Sequence, residues 1–465
     1  MERLTPLAAS FLEAEDVDPT ASLAIGSFSV FEGPAPDFED FVRSIEGRLP
    51  LVPRYRQKLR RVPFDLAAPA WVDDTSFDIR WHIRNTALPA PGGPEEIGRL
   101  MSRVMSRRMD RSRPMWEYWF CEGLADGRWG LISKLHHCLA DGVSGTDLYQ
   151  LLLDLTPEPP VPGPDTWRPA EPVSTLVFTA AAVRDLALSP VQAVRQAATV
   201  LRSPRRLVRS TTEAASGLLS LAGAVRPVHT TSLMGPVDGS RRYAWAELSL
   251  ADIRVVRKAF GVTVNDVALA AVSGGFRRLL LSRGEVPDPH ALRSLVPVST
   301  REPGEESIPD NRVSLMLPYL PVDVADPVER LRAVHRRIRE LRWHHEPEAG
   351  GTLTTAAELG PFGPVSWAMR AGLRFPQRNI ATVTTNVPGP RVTLYALGRE
   401  VLQLLPYVPI ADRVRVGVAM FSYRDALTFG ITADFDTVPD VDVLARGIEE
   451  SAAELVAAAR ELVEA

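Results

Sequence analysis

The chain has 465 residues, 45% of them hydrophobic and 24% charged, with a net charge of −4. That make-up fits a globular protein with a substantial core, of two or about three domains by length, and nothing in its charge points to nucleic acid. Two cysteines exclude a disulfide framework and fit a reducing cytoplasm, and no Cys/His cluster has the spacing of a zinc site, so no metal is expected.

The opening stretch, MERLTPLAASFLEAEDVD, carries acids where a secretory signal would be apolar. The longest uncharged runs, such as 214–225, fall short of the roughly 18 residues that a spanning helix needs. The chain is therefore expected not to cross a membrane, although it can lie on one. Residues 21–31 read as a strand. Residues 37–48 form an amphipathic helix with Phe38, Phe41, Val42 and Ile45 on one face. Arg54, Arg56, Lys58, Arg60 and Arg61 follow, read first as a solvated basic face, with contact to an anionic ligand as the alternative. The alternation in 77–84 predicts a strand holding a structural His82, and 95–109 a helix. An aromatic-rich strand begins near Trp116.

Residues 156–172 are proline-rich and mark a linker. In 173–225, six arginines stand against two acids, and Arg195, Arg202, Arg206 and Arg209 fall close to one helical face. Contact with anionic lipid and a merely solvated connecting segment both fit that face. Strands are predicted at 243–248, 294–300, 311–322 and 381–390, with a hairpin from 413–421 and 426–435. Helices are predicted at 250–260, from the Asn265-Asp266 pair onward with either side chain as its cap, at 327–342 capped by Asp326, and at 441–464. The chain divides into an N-terminal lobe, 1–160, a proline-rich then helical basic linker, 161–238, and a C-terminal lobe, 239–465. The class is α/β (α+β): two similar lobes, each a mixed sheet with flanking helices.

The chemistry centres on residues 131–149, LISKLHHCLADGVSGTDLY. An apolar strand ends in His136 and His137, a tight loop carries Asp141 and Gly142, and Leu148, Leu151, Leu152 and Leu155 recur at helical spacing. Successive side chains of a strand point to opposite faces, so only one imidazole of the pair can face a given cleft while the other packs or orients. A neutral imidazole in a cleft suits general-base work near pH 7. Gly142 allows a turn or the close approach of a substrate. A second pair, His344-His345, lacks the following Asp-Gly.

HHCLADG matches the HHxxxDG motif of the acyl-CoA-dependent acyltransferases that resemble chloramphenicol acetyltransferase. LTPLAASFLEAE, RPMWE, VNDVALA, LVPVSTR, NRVSLMLPYLPV and TNVPGPRVTLYALG resemble, in order and end to end, the bacterial wax ester synthase/diacylglycerol acyltransferases. Met115 stands where leucine is usual in that family, a change conservative in volume. The resemblance implies two lobes with a tunnel between them. It also implies transfer of a long-chain acyl group from CoA to diacylglycerol or a long-chain alcohol, acyl-CoA being a substrate. His137 would be the general base, with no acyl-enzyme. His136 would orient or pack and Asp141 would be structural. Asn265, Thr385 and Asn386 would be substrate-binding candidates, among them donors to the oxyanion. The protein would be cytoplasmic, held peripherally on a membrane or lipid inclusion. Other readings are a condensation-type enzyme using a carrier-protein thioester, a lipid-binding relative without turnover, and a thiol nucleophile at Cys138. The last is disfavoured, because neighbouring side chains diverge in direction.

Overall fold

The apolar run that leads to the two histidines forms a strand buried along its whole length, because it lies inside a sheet with neighbours on both sides. The computed structural model describes residues 2–140, 151–158, 165–184, 228–299, 313–343 and 377–464. Its first half contains α1 (Pro6–Val17), β1 (Ala24–Phe31), α2 (Phe38–Arg48), β2 (Gln57–Arg60), β3 (Ala70–Asp73), α3 (Ile79–His82), β4 (Ile83–Ala87), α4 (Pro94–Met105), β5 (Trp116–Glu122), β6 (Trp129–His136) and the single turn α5 (His137–Ala140). Its second half contains β7 (Arg241–Ser249), α6 (Leu250–Phe260), α7 (Val264–Ser282), β8 (Ser294–Ser299), β9 (Val313–Met316), α8 (Pro327–Trp343), β10 (Thr382–Val387), β11 (Tyr395–Ala396), β12 (Arg399–Tyr407), β13 (Val416–Tyr423), β14 (Ala426–Asp434) and α9 (Val441–Glu464).

Two six-stranded sheets result, ordered β11-β12-β1-β6-β5-β4 and β7-β14-β13-β10-β8-β9, with β2 and β3 pairing apart. Both sheets are mixed: β4–β5, β10–β13 and β10–β8 run parallel, and the other pairs antiparallel. Each sheet has its own core. Phe28, Phe31, Phe41, Trp116, Phe120 and Trp129 build the first, and Val272, Phe276, Phe429, Leu444 and Leu455 belong to the second. Burying one such side chain contributes about 1.5–3 kcal/mol, so the two cores hold the lobes. The helices start where their chemistry dictates. Asp37 accepts from the Glu39 and Asp40 amides to open α2, and Ser249 does the same for Ala251 and Asp252 in α6. Gly261, left-handed at φ 65°, ends α6.

The two halves interlock. β11 and β12 come from the second half of the chain yet complete the first sheet, β12 pairing antiparallel with β1 from Gly26↔Tyr407 to Phe31↔Val401. At the crossing, the Tyr243 hydroxyl donates to the Pro406 carbonyl at 2.8 Å. A side chain at Gly430 would run into that same carbonyl, so only glycine fits. Arg241, 3% exposed, donates to the carbonyls of Thr20 and Ile410, one from each half.

Four expectations need correction. Residues 77–84 are not one strand: Asp78 caps the short α3, and extension begins only at Ile83. The strand expected at 311–322 is confined, among described residues, to Val313–Met316. Asn265 and Asp266 do not cap α7. Thr263 does, and Asp266 returns a bond to the Thr263 amide at 2.9 Å, closing a capping box. The basic stretch 54–61 is not a solvated face. Arg54 pairs with Glu2, Arg56 with Asp165, Lys58 with Asp74 and Arg61 with Asp16, and Arg56 is 3% exposed. The arginine face at Arg195, Arg202, Arg206 and Arg209 lies outside the described residues. Among those described, no single helix is long and apolar enough to cross a membrane.

Candidate active site

β6 delivers His136 as its last residue and His137 as the first of α5, and the strand end is gripped on both sides. The His136 amide donates to the Met115 carbonyl at 3.0 Å, and the His137 amide to the Leu23 carbonyl at 3.2 Å. Met115 is buried just ahead of β5. Next to it, the Trp116 ring stacks on His82 and Tyr55, and its Nε1–H donates to the Tyr55 carbonyl at 2.8 Å. The RPMWE stretch is thus the wall against which the strand end is set.

The two imidazoles have different surroundings. His136 is fully buried. Its Nδ1 accepts the Cys138 amide hydrogen at 3.2 Å and lies 2.9 Å from Cys138 Sγ. An Nδ1 that accepts leaves the ring hydrogen on Nε2. That atom lies 3.4 Å from Glu15 Oε1, an ion-pair distance, and makes no hydrogen bond among the described residues. The His136 ring is enclosed within the protein on both sides. His137 is half-buried, and its ring stacks on Phe11 with centroids 3.9 Å apart and planes 17° off parallel. Cys138 is fully buried beside His136, an unsuitable place for an attacking thiolate.

Phe11 and Glu15 are the residues that sequence reasoning missed. They sit four apart on α1, hence on one face of that helix, and that face covers both histidines. Glu15, 1% exposed, also accepts the Leu23 amide at 2.7 Å and Arg111 Nη2 at 2.8 Å. Arg111 holds Asp16 with its other nitrogen at 2.6 Å. Burial by itself would raise the Glu15 carboxyl. The contact with His136, together with Arg111 and the Leu23 amide, outweighs it and holds the group down to about 2. The signal for this pair was an acid one turn past an aromatic, on the face of a helix whose Ala8 and Leu12 are buried. Nothing in the sequence marks Arg111 as its partner.

Of the candidates in the second half, Asn265 and Asn386 come together: Asn386 Nδ2 donates to Asn265 Oδ1 at 3.1 Å, joining the first turn of α7 to β10. Thr385 follows the alternation of β10 and lies on the opposite face, so it does not share that pair's position. Asp266, 2% exposed, faces away from the asparagines and takes His335 Nδ1 of α8 at 2.9 Å. Asp141, Gly142 and Leu148 lie outside the described residues. Further along the chain, the described residues are firmly held. Asp154 exchanges both backbone hydrogen bonds with Tyr395, and its buried carboxylate meets Arg48 Nη2 at 2.7 Å.

Two interlocked α/β lobes with an HHxxxDG histidine pair at a strand end define a class, the acyltransferases built like chloramphenicol acetyltransferase. Comparison with known proteins narrows it. The model of the wax ester synthase/diacylglycerol acyltransferase catalytic domain matches residues 4–268, and that of the WS/DGAT C-terminal domain residues 310–456. A probable diacylglycerol O-acyltransferase of Mycobacterium tuberculosis is 46% identical over 459 residues, covering 98% of this chain and 96% of its own. The structure of the wax ester synthase/diacylglycerol acyltransferase from Marinobacter aquaeolei VT8 superposes with a TM-score of 0.67 at 27% identity, covering 98% of this chain and 99% of its own. The first condensation domain of the calcium-dependent antibiotic synthetase shares the fold, with a TM-score of 0.60 at 16% identity over 98% of this chain and 97% of its own. The chain belongs to the wax ester synthase/diacylglycerol acyltransferase family, and it is an acyltransferase.

Proposed function

We propose that the protein moves a long-chain acyl group from coenzyme A to the hydroxyl of diacylglycerol or a long-chain alcohol, with His137 as general base. The carrying observation is the inequality of the two histidines. His136 is fully buried, its Nδ1 taken up by the Cys138 amide and its Nε2 enclosed 3.4 Å from the Glu15 carboxylate, whereas His137 is only partly buried and is the imidazole of the motif that a substrate can reach. The names of the M. tuberculosis relative and the Marinobacter structure favour diacylglycerol and wax-type alcohols as acceptors.

In the proposed step, His137 takes the proton of the acceptor hydroxyl as the oxygen attacks the thioester carbonyl. The tetrahedral oxyanion collapses, the carbon–sulfur bond breaks, and the leaving thiolate takes the proton back from the imidazolium. The ester and free CoA are the products. A positioned base and an oriented pair of substrates suffice for this, so the reading invokes no acyl-enzyme and no cofactor. A base alone supplies about 10²–10⁴-fold, so a donor to the oxyanion is required as well, and the Asn265–Asn386 pair is the candidate geometry. The acyl donor would meet the acceptor in a tunnel between the lobes. Substrates this apolar place the enzyme, cytoplasmic in this reading, on the surface of a membrane or lipid inclusion.

The test uses purified protein, a long-chain acyl-CoA and a panel of alcohols, with released thiol as the readout. His137→Ala is expected to abolish transfer and His136→Ala to keep part of it. Near-wild-type turnover by His137→Ala refutes the proposal.

A further inference from the structure

A buried carboxylate is a poor device for stability. A well-packed apolar side chain often holds a core as well as a buried ion pair, or better. Glu15 is nonetheless 1% exposed, on the face of α1 turned to the motif, where the Leu23 amide and Arg111 donate to it, Arg108 Nη2 lies 3.5 Å from its Oε2 and His136 Nε2 3.4 Å from its Oε1. Two links run from it to His137. Along one, Oε1 orients the His136 ring, whose Nδ1 holds the Cys138 amide on the far side of His137. Along the other, the same oxygen fixes the Leu23 amide, while the Leu23 carbonyl receives the His137 amide. The backbone on both sides of His137 is therefore tied to one carboxylate. The same helix lays the Phe11 ring against the imidazole itself.

We infer that Glu15 is a positioning residue of the transfer: held by Arg111, it seats His137 through His136 and Leu23, and Phe11 sets the plane of the His137 ring. The inference rests on the reading of His137 as the base. Glu15 touches neither substrate in this account. It acts by keeping the base within the few tenths of an ångström that proton transfer demands, and misplacing a reacting group by about 1 Å can cost on the order of 10²-fold.

The experiment is steady-state thiol release by full-length Glu15→Gln, with long-chain acyl-CoA varied at saturating alcohol. The folded variant is expected to lose about 10–100-fold in kcat with KM for the donor within about twofold, because orientation of the base is lost and binding is not. Phe11→Leu, which keeps bulk but not the stack, is expected to lose kcat in the same direction by a smaller factor. Should Glu15→Gln fail to fold, Arg111→Lys takes its place: it keeps a cation but lacks the fork that grips Glu15 and Asp16 together, and a loss confined to kcat is again expected. Wild-type kcat in a folded Glu15→Gln, or a loss carried by KM alone, overturns the inference and leaves His137 as base untouched. Full activity in His137→Ala, measured alongside, removes the base and this inference with it.

Discussion

Lys134 provides a clean test of the electrostatics behind the histidine pair. It lies two residues before His136 on β6, 1% exposed, and its ammonium donates to the carbonyls of Val104, at 2.8 Å, and Arg107 at the end of α4. Burial lowers it from 10.5 to about 8, against the opposing pull of Glu117 and Glu15. Such a depression corresponds to about 3 kcal/mol of penalty on the charged form in the folded state. Because the folded value lies below the unfolded one, the unfolded chain binds more protons between about 8 and 10.5. The penalty is thus fully present below pH 8, and stability is regained as pH rises through that window. The sequence has only three lysines, but its two cysteines and eight tyrosines ordinarily titrate in or near the same window. The buried ones act in the opposite sense: burial raises Cys121 and Tyr407 to about 12 and lifts Tyr55, Tyr118, Tyr243 and Tyr423, so these groups erode stability as pH climbs. They are shared by Lys134→Met, and the comparison cancels them. The assay is urea unfolding of wild type and Lys134→Met at steps from pH 7 to 10.5. Lys134→Met loses the two carbonyl contacts at every pH. The stability of wild type relative to the variant is expected to rise by about 3 kcal/mol across the series. A difference that stays constant refutes the reasoning, since Lys134 would then titrate alike in both states.

Arg48→Met is expected to cost about 3–5 kcal/mol, because it leaves the Asp154 carboxylate, 7% exposed, without its cation; the double variant Arg48→Met/Asp154→Leu should recover most of that in thermal melts. Asp266→Ala removes the partner of both the Thr263 amide and His335 and is expected to cost about 2 kcal/mol. Asn265→Ala should cost less than about 1 kcal/mol in the same denaturation series while lowering thiol release. Equal stability losses for the two would show that the neighbouring residues do not divide into a structural and a site-facing one.

Local chemistry determined much of this molecule in advance. The amphipathic face of α2, the helices at 250–260 and 441–464, and the hairpin of β13 and β14 follow periodicity and capping, which depend on residues near in sequence. The family, too, was legible, because its motifs are short and keep their order. Long-range pairing was not. Nothing in REVLQLLPY says that it leaves its own half to flank β1, since a strand finds its partners by packing and not by pattern. The basic stretch 54–61 looked solvated because its carboxylate partners come from positions as distant as Glu2 and Asp165. The inequality of His136 and His137 was visible only as alternation along a strand. That His136 is the enclosed one was decided by tertiary packing, which sets α1 over the end of β6 and brings Glu15 to His136 from 121 positions away.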